Sequence, residues 1–116
     1  MDFRGICAIV WPTSQEGEAH MIVGVVRVDL EIPENNSLKG KRSVVKPIVM
    51  KVMNKFNIHA AEVDDLDSHD TAVIGLTMCG NDQRHVNEVL SKAVDWLENR
   101  QFDANVTDIE MEFIQF

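Results

Sequence analysis

The sequence predicts an α+β fold, a ferredoxin-like βαββαβ sandwich in which a four-stranded antiparallel sheet carries two helices on one face. Three observations lead there. Four stretches alternate apolar and polar residues with period two, two stretches repeat apolar residues at i, i+3, i+4 spacing, and their order along the chain is strand, helix, strand, strand, helix, strand.

The first strand runs from Ile22 to Ile32, where Ile22, Gly24, Val26, Val28, Leu30 and Ile32 alternate with Val23, Val25, Arg27, Asp29 and Glu31. β-branched residues on one side of such a run read as a strand with one buried face. Pro33 and the polar Glu34-Asn35-Asn36 end it. Ser37 is then the expected N-cap of the first helix, with Leu38, Val45, Ile48, Val49, Val52 and Phe56 on its apolar side. Pro47 falls in its interior and removes a hydrogen bond, so a kink or a late regular start is expected, with Pro47 and Gly40 facing solvent. Ile58 to Asp65 and Thr71 to Cys79 form the central strands, and the acidic Asp64 to Asp70 link is their hairpin. Asn81-Asp82 caps a second helix patterned by Val86, Val89, Leu90, Ala93, Val94 and Leu97, ending near Asn99. Val106 to Phe113, with Ile109, Met111 and Phe113 alternating against Glu110 and Glu112, is the last strand. Strands one and four pair in this topology, so Arg27 is expected opposite Glu110 or Glu112.

At 116 residues, 45% hydrophobic and 26% charged, the chain suits one globular domain that folds without staples. We expect that domain to occupy residues 21–116, behind an extension at 1–20. The apolar core of the extension, Ile6 to Trp11, is too short for a signal peptide and precedes no cleavage pattern. Glu16-Gly17-Glu18 can be encoded by purine-rich triplets just ahead of Met21, which predicts Met21 as the native start. Intact mass of the native gene product checks this, because a product beginning at Met1 removes the idea. No apolar run approaches the roughly 20 residues needed to cross a bilayer, and no membrane partner is expected. Two cysteines, Cys7 and Cys79, in no metal-ligand spacing, point to a reduced, cytoplasmic setting.

The formal net charge is −8, yet Leu38 to Asn57 holds Lys39, Lys41, Arg42, Lys46, Lys51 and Lys55 without one acid. Lys39, Lys41 and Arg42 occupy the first helical turns, where amide N–H groups and the helix dipole favour anions, so with Lys46 they form a candidate phosphate or RNA site. The competing reading is a set of snorkelling cations that border the buried stripe, with Lys39, Arg42 and Lys46 on one side and Lys41, Lys51 and Lys55 on the other. Topology places the helix start beside the acidic hairpin, which would neutralise part of the island. Arg84 and His85, in the first turn of the second helix, form a secondary candidate anion site, against a plain cap with exposed side chains. The helix-free sheet face carries Val23, Val25 and Val73, an association surface for a homodimer.

The hairpin could hold a divalent cation but lacks the spacing of a calcium loop, so no metal is assigned. No catalytic constellation stands out: Cys79, His59 and His69 have no motif partner, and the glycines form neither a P-loop nor a dinucleotide fingerprint. No cofactor is expected. Without tyrosine, and without aromatics on the open face of the central strands, the stacking platform of many similarly arranged RNA-binding domains is missing.

Several segments agree in order and spacing with one family: Met21-Ile22-Val23-Gly24-Val25, Ser37-Leu38-Lys39-x-Lys41-Arg42, Phe56-Asn57, Ala61-Glu62-Val63-Asp64-Asp65 and Asn81-Asp82-x-Arg84-His85-Val86. Together they resemble the small bacterial YlxP-like family from Met21 to about Phe113. The resemblance implies a cytoplasmic bacterial protein of ferredoxin-like fold with no established activity. Genes of similar proteins often lie among those for translation and ribosome maturation, which implies an RNA or ribosomal partner. The chain departs from the family in its first twenty residues and in Leu66-Asp67-Ser68-His69-Asp70, where similar proteins often carry an aromatic residue. The expected function is a non-enzymatic binding module, with RNA or ribosome association as its leading role. The alternatives are a self-associating structural protein and a small-anion binder.

Overall fold

A computed structural model describes residues 21–99 and 104–116. The expectations about the extension at 1–20 therefore lie outside the described residues. The elements are β1 (Ile22–Glu31), α1 (Leu38–Phe56), β2 (His59–Asp64), β3 (Thr71–Gly80), α2 (Gln83–Asn99) and β4 (Asn105–Gln115). One antiparallel sheet has the order β2-β3-β1-β4, which is the ferredoxin-like arrangement.

Alternation decides which face carries the helices. Val26, Val28 and Leu30 of β1 and Ala72, Ile74 and Leu76 of β3 point the same way and are buried with Val45, Ile48 and Val52 of α1 and Val86, Leu90 and Ala93 of α2. Each fully buried aliphatic side chain contributes about 1.5–3 kcal/mol, so this layer dominates the stability of the domain.

Ser37 caps α1 as its residue type predicts, its hydroxyl accepting the Gly40 N–H at 3.0 Å. At the other end Asn57 adopts a left-handed conformation, φ 55°, and donates its N–H to Met53 O. Pro47 is exposed inside an assigned helix that runs unbroken from Leu38. Gly40 does not face open solvent. It is half-buried, and the space a Cβ would need is taken by the Asn35 side chain.

β4 runs two residues past its expected end, because pairing with β1 continues through Ile114 opposite Val23 and Gln115 opposite Ile22. Reciprocal backbone bonds between Met21 and Phe116, at 2.9 and 2.8 Å, close that end of the ladder. Both outer strands are irregular in register, β4 beside Asp29 and Leu30 of β1, and β2 between Glu62 and Asp64. The second irregularity shapes the candidate site.

Candidate functional site

The basic island does not act as one patch, because the phase of α1 splits it. Lys41, Val45, Ile48 and Val52 form a single buried stripe, so Lys41 lies on the core side of the helix and not on its flank. Its side chain is 1% exposed. The ammonium donates to Asp65 O at 2.6 Å and Thr71 O at 3.1 Å, approaches Leu66 O at 3.5 Å, and pairs with Glu62 Oε2 at 2.9 Å. An ammonium has three protons, and every acceptor near it belongs to the fold itself. Lys41 is therefore unavailable to a phosphate, which corrects its place in the expected site.

Glu62 reaches this position because it alternates with Ala60 on the helix-facing side of β2. Its side chain is 19% exposed, and Oε2, though at ion-pair distance, has no aligned hydrogen bond. The hairpin presents its carbonyls inward through a left-handed Asp65, φ 57°. Asn35 adds a second tie, its amide donating to Ser37 O and His69 O, and Ile32 donates its N–H to Asp70 O. The start of α1 and the acidic hairpin are thus joined, as topology requires, but through main-chain oxygens and one carboxylate of β2.

The other cations remain outside. Lys39, Arg42 and Lys46 are exposed along one side of α1, and among the described residues none of them forms an ion pair. Arg42 and Lys46 rim a shallow groove of about 370 Å³ between α1 and the edge strand β2, floored by Val45, Val49, Ala60 and Ala61. Met50, 46% exposed, stands at its outer wall. Lys55 lies 5.8 Å over the Phe56 ring, which meets Trp96 edge to face at 6.0 Å.

The helix-free face divides in two. Arg27 stands opposite Glu110 in register, yet its guanidinium pairs with Asp64 at 3.1 Å and Asp29 at 3.7 Å. Asp29 and Asp64 are the cross-strand neighbours of Val73, so the trio arches over it and leaves Val73 only 3% exposed. Val73 is therefore not part of an association surface. Val23 and Val25, at the other end, stay half-buried beside Ile114, while Asp108, Glu110 and Glu112 line the β4 side.

At the opposite end of the sheet Asp82 accepts the Arg84 N–H at 3.0 Å. Arg84 and His85 are exposed there. Cys79 is a free, exposed thiol. Among the described residues no group of three or more His, Cys, Asp or Glu is placed to hold a metal ion, and no helix is long and apolar enough to cross a membrane.

The residue types alone did not identify Glu62, Thr71 and Asn35 as partners of the basic helix start. The available signal was Glu62 itself, a carboxylate alternating with Ala60 on the side of β2 that must be buried and must therefore find a cation.

Residues 23–111 match the model of the family described as "Protein of unknown function (DUF503)". The "Uncharacterized protein YlxP" of Bacillus subtilis (strain 168) is 24% identical over 78 residues, 67% of this chain and 85% of that protein.

Proposed function

The chain belongs to the DUF503 family of proteins of unknown function, and from that starting point we propose that it is a non-enzymatic binding module that holds the phosphate backbone of RNA, within a ribosomal particle, along the exposed side of α1. The observation that carries this reading is the state of three cations. Once the hairpin has taken Lys41, Lys39, Arg42 and Lys46 still stand exposed and unpaired among the described residues of a protein whose net charge is −8. Cations with no internal partner on a strongly anionic molecule favour an external anion, and contacts of this kind position a nucleic acid rather than read its sequence.

Filter binding to ribosomal RNA at low and physiological salt tests the reading. The wild type should bind with an affinity that falls as salt rises, and the Arg42→Glu, Lys46→Glu double variant should bind at least tenfold more weakly. Equal affinity of the two proteins would exclude this side of the helix.

A second reading, a homodimer through the open sheet face, is favoured by Val23 and Val25, which neither helix covers. It rests on those two valines without Val73. Light scattering at high protein concentration decides it, since a monomer there rules the face out.

A further inference from the structure

We propose that the β2–β3 hairpin is a cation-binding cradle whose resident cation is the chain's own Lys41 ammonium, and that the vacated cradle takes a free primary ammonium ion from solution. Four oxygens converge on the Lys41 Nζ: the carbonyls of Asp65, Thr71 and Leu66 and Oε2 of Glu62, at 2.6 to 3.5 Å. One carboxylate and three neutral carbonyls balance one positive charge, which suits a monovalent cation and repels any anion.

The cradle is built without Lys41. Ser68 N–H donates to Asp65 O at 3.0 Å, Thr71 Oγ1 donates to the Asp65 carboxylate at 3.1 Å, and Asp65 N–H donates to the Asp64 carboxylate at 2.8 Å. The Ser68 hydroxyl lies 2.7 Å from Thr71 Oγ1 and accepts the Thr71 N–H at 3.2 Å. These bonds hold the Asp65 to Thr71 turn and its carbonyls in place when the ammonium is removed, so that part of the site is preorganised for a replacement.

Acceptor capacity also exceeds what the tethered ammonium uses. Leu66 O sits at the 3.5 Å limit, and Glu62 Oε2 is buried without an aligned hydrogen bond. A free alkylammonium, released from the geometry of the lysine stem, can rotate to aim its third N–H at the Glu62 carboxylate while keeping Asp65 O and Thr71 O. The two-carbon probe ethylammonium replaces the head and the end of the stem, whereas tetramethylammonium has the same charge and no N–H donor.

The test is thermal unfolding of Lys41→Ala in ethylammonium chloride and in tetramethylammonium chloride at equal ionic strength, with wild type beside it. The variant should unfold at a lower temperature than wild type and regain stability in ethylammonium alone, rising logarithmically with concentration as for a ligand of the folded state. Adding Glu62→Gln to the variant should abolish the rescue. Equal effects of the two salts, or a variant as stable as wild type, would overturn the proposal. If Lys41→Ala does not fold by itself, refolding from denaturant into ethylammonium chloride takes its place: recovery of the wild-type circular dichroism supports the cradle, and no recovery refutes it. Neither readout involves the exposed side of α1, so an RNA-binding failure leaves this result standing.

Discussion

Lys41 and Glu62 are a charged pair, 1% and 19% exposed, and the cost of desolvating them is offset only while both are present with their carbonyl partners. Removing one partner of such a pair costs about 3–5 kcal/mol, because the other charge is left buried. Lys41→Met should therefore destabilise the protein by about that amount in urea titration. Lys41→Met combined with Glu62→Leu should lie closer to wild type than Lys41→Met alone, since the uncompensated carboxylate is gone. Lys39→Met, on the exposed side, should change stability by less than about 0.5 kcal/mol. The contrast separates cations that residue type cannot separate. A helical wheel built from apolar residues alone treats every lysine as a boundary residue, and only the i+4, i+7 and i+11 spacing from Lys41 to Val45, Ile48 and Val52 puts it on the stripe. The same limitation applies to Val73, whose burial depends on an arginine from β1 and an aspartate from β2 that meet only once the register is known.

At the scale of elements, the close approach of α2 to β1 depends on Gly24. A methyl group there would overlap Leu90 and Val86, both wholly buried. Gly24→Ala should cost about 1–3 kcal/mol through overpacking, measured as a lower urea midpoint at unchanged slope. Pro47 gives the opposite sign. It leaves one carbonyl of α1 without its helical donor at an exposed position, so Pro47→Ala should stabilise by on the order of 1–3 kcal/mol, somewhat less where the unfolded chain gains freedom. All six elements could be read from the sequence because alternation and helical spacing are local signals that here agree with the global fold. The end of β4 could not, since Ile114 and Gln115 join the ladder through a long-range partner, β1, and not through their own pattern. Of the candidate site, the run of cations on α1 and the cap at Asn81-Asp82 were readable from the sequence, but not which of the cations is buried. The cradle was not, because main-chain carbonyls leave no mark in a sequence.

At the scale of the molecule, the described residues of α1 and of the open sheet face carry opposite charge. Lys39, Arg42 and Lys46 stand on α1, whereas Asp29, Asp64, Asp108, Glu110 and Glu112 lie on the open sheet face with, among the described residues, only Arg27 as a basic neighbour. A polyanion is attracted to the α1 side and repelled by the sheet face, so binding through α1 should engage few phosphates and depend only modestly on salt. Three contacts to a single strand correspond to a slope of about −2 in log affinity against log salt concentration, at roughly −0.7 per neutralised phosphate. Arg42→Glu with Lys46→Glu should reduce the slope to about −0.7 or less by leaving Lys39 alone. Substituting Lys41 should leave the slope at about −2 in any variant that stays folded, because a buried ammonium releases no counterion. Titration of a fluorescent single-stranded RNA over a series of salt concentrations measures all three. A Lys41 variant that is folded yet has a shallower slope would show that this ammonium reaches the ligand after all, and a wild-type slope near zero would remove the nucleic acid from the helix altogether.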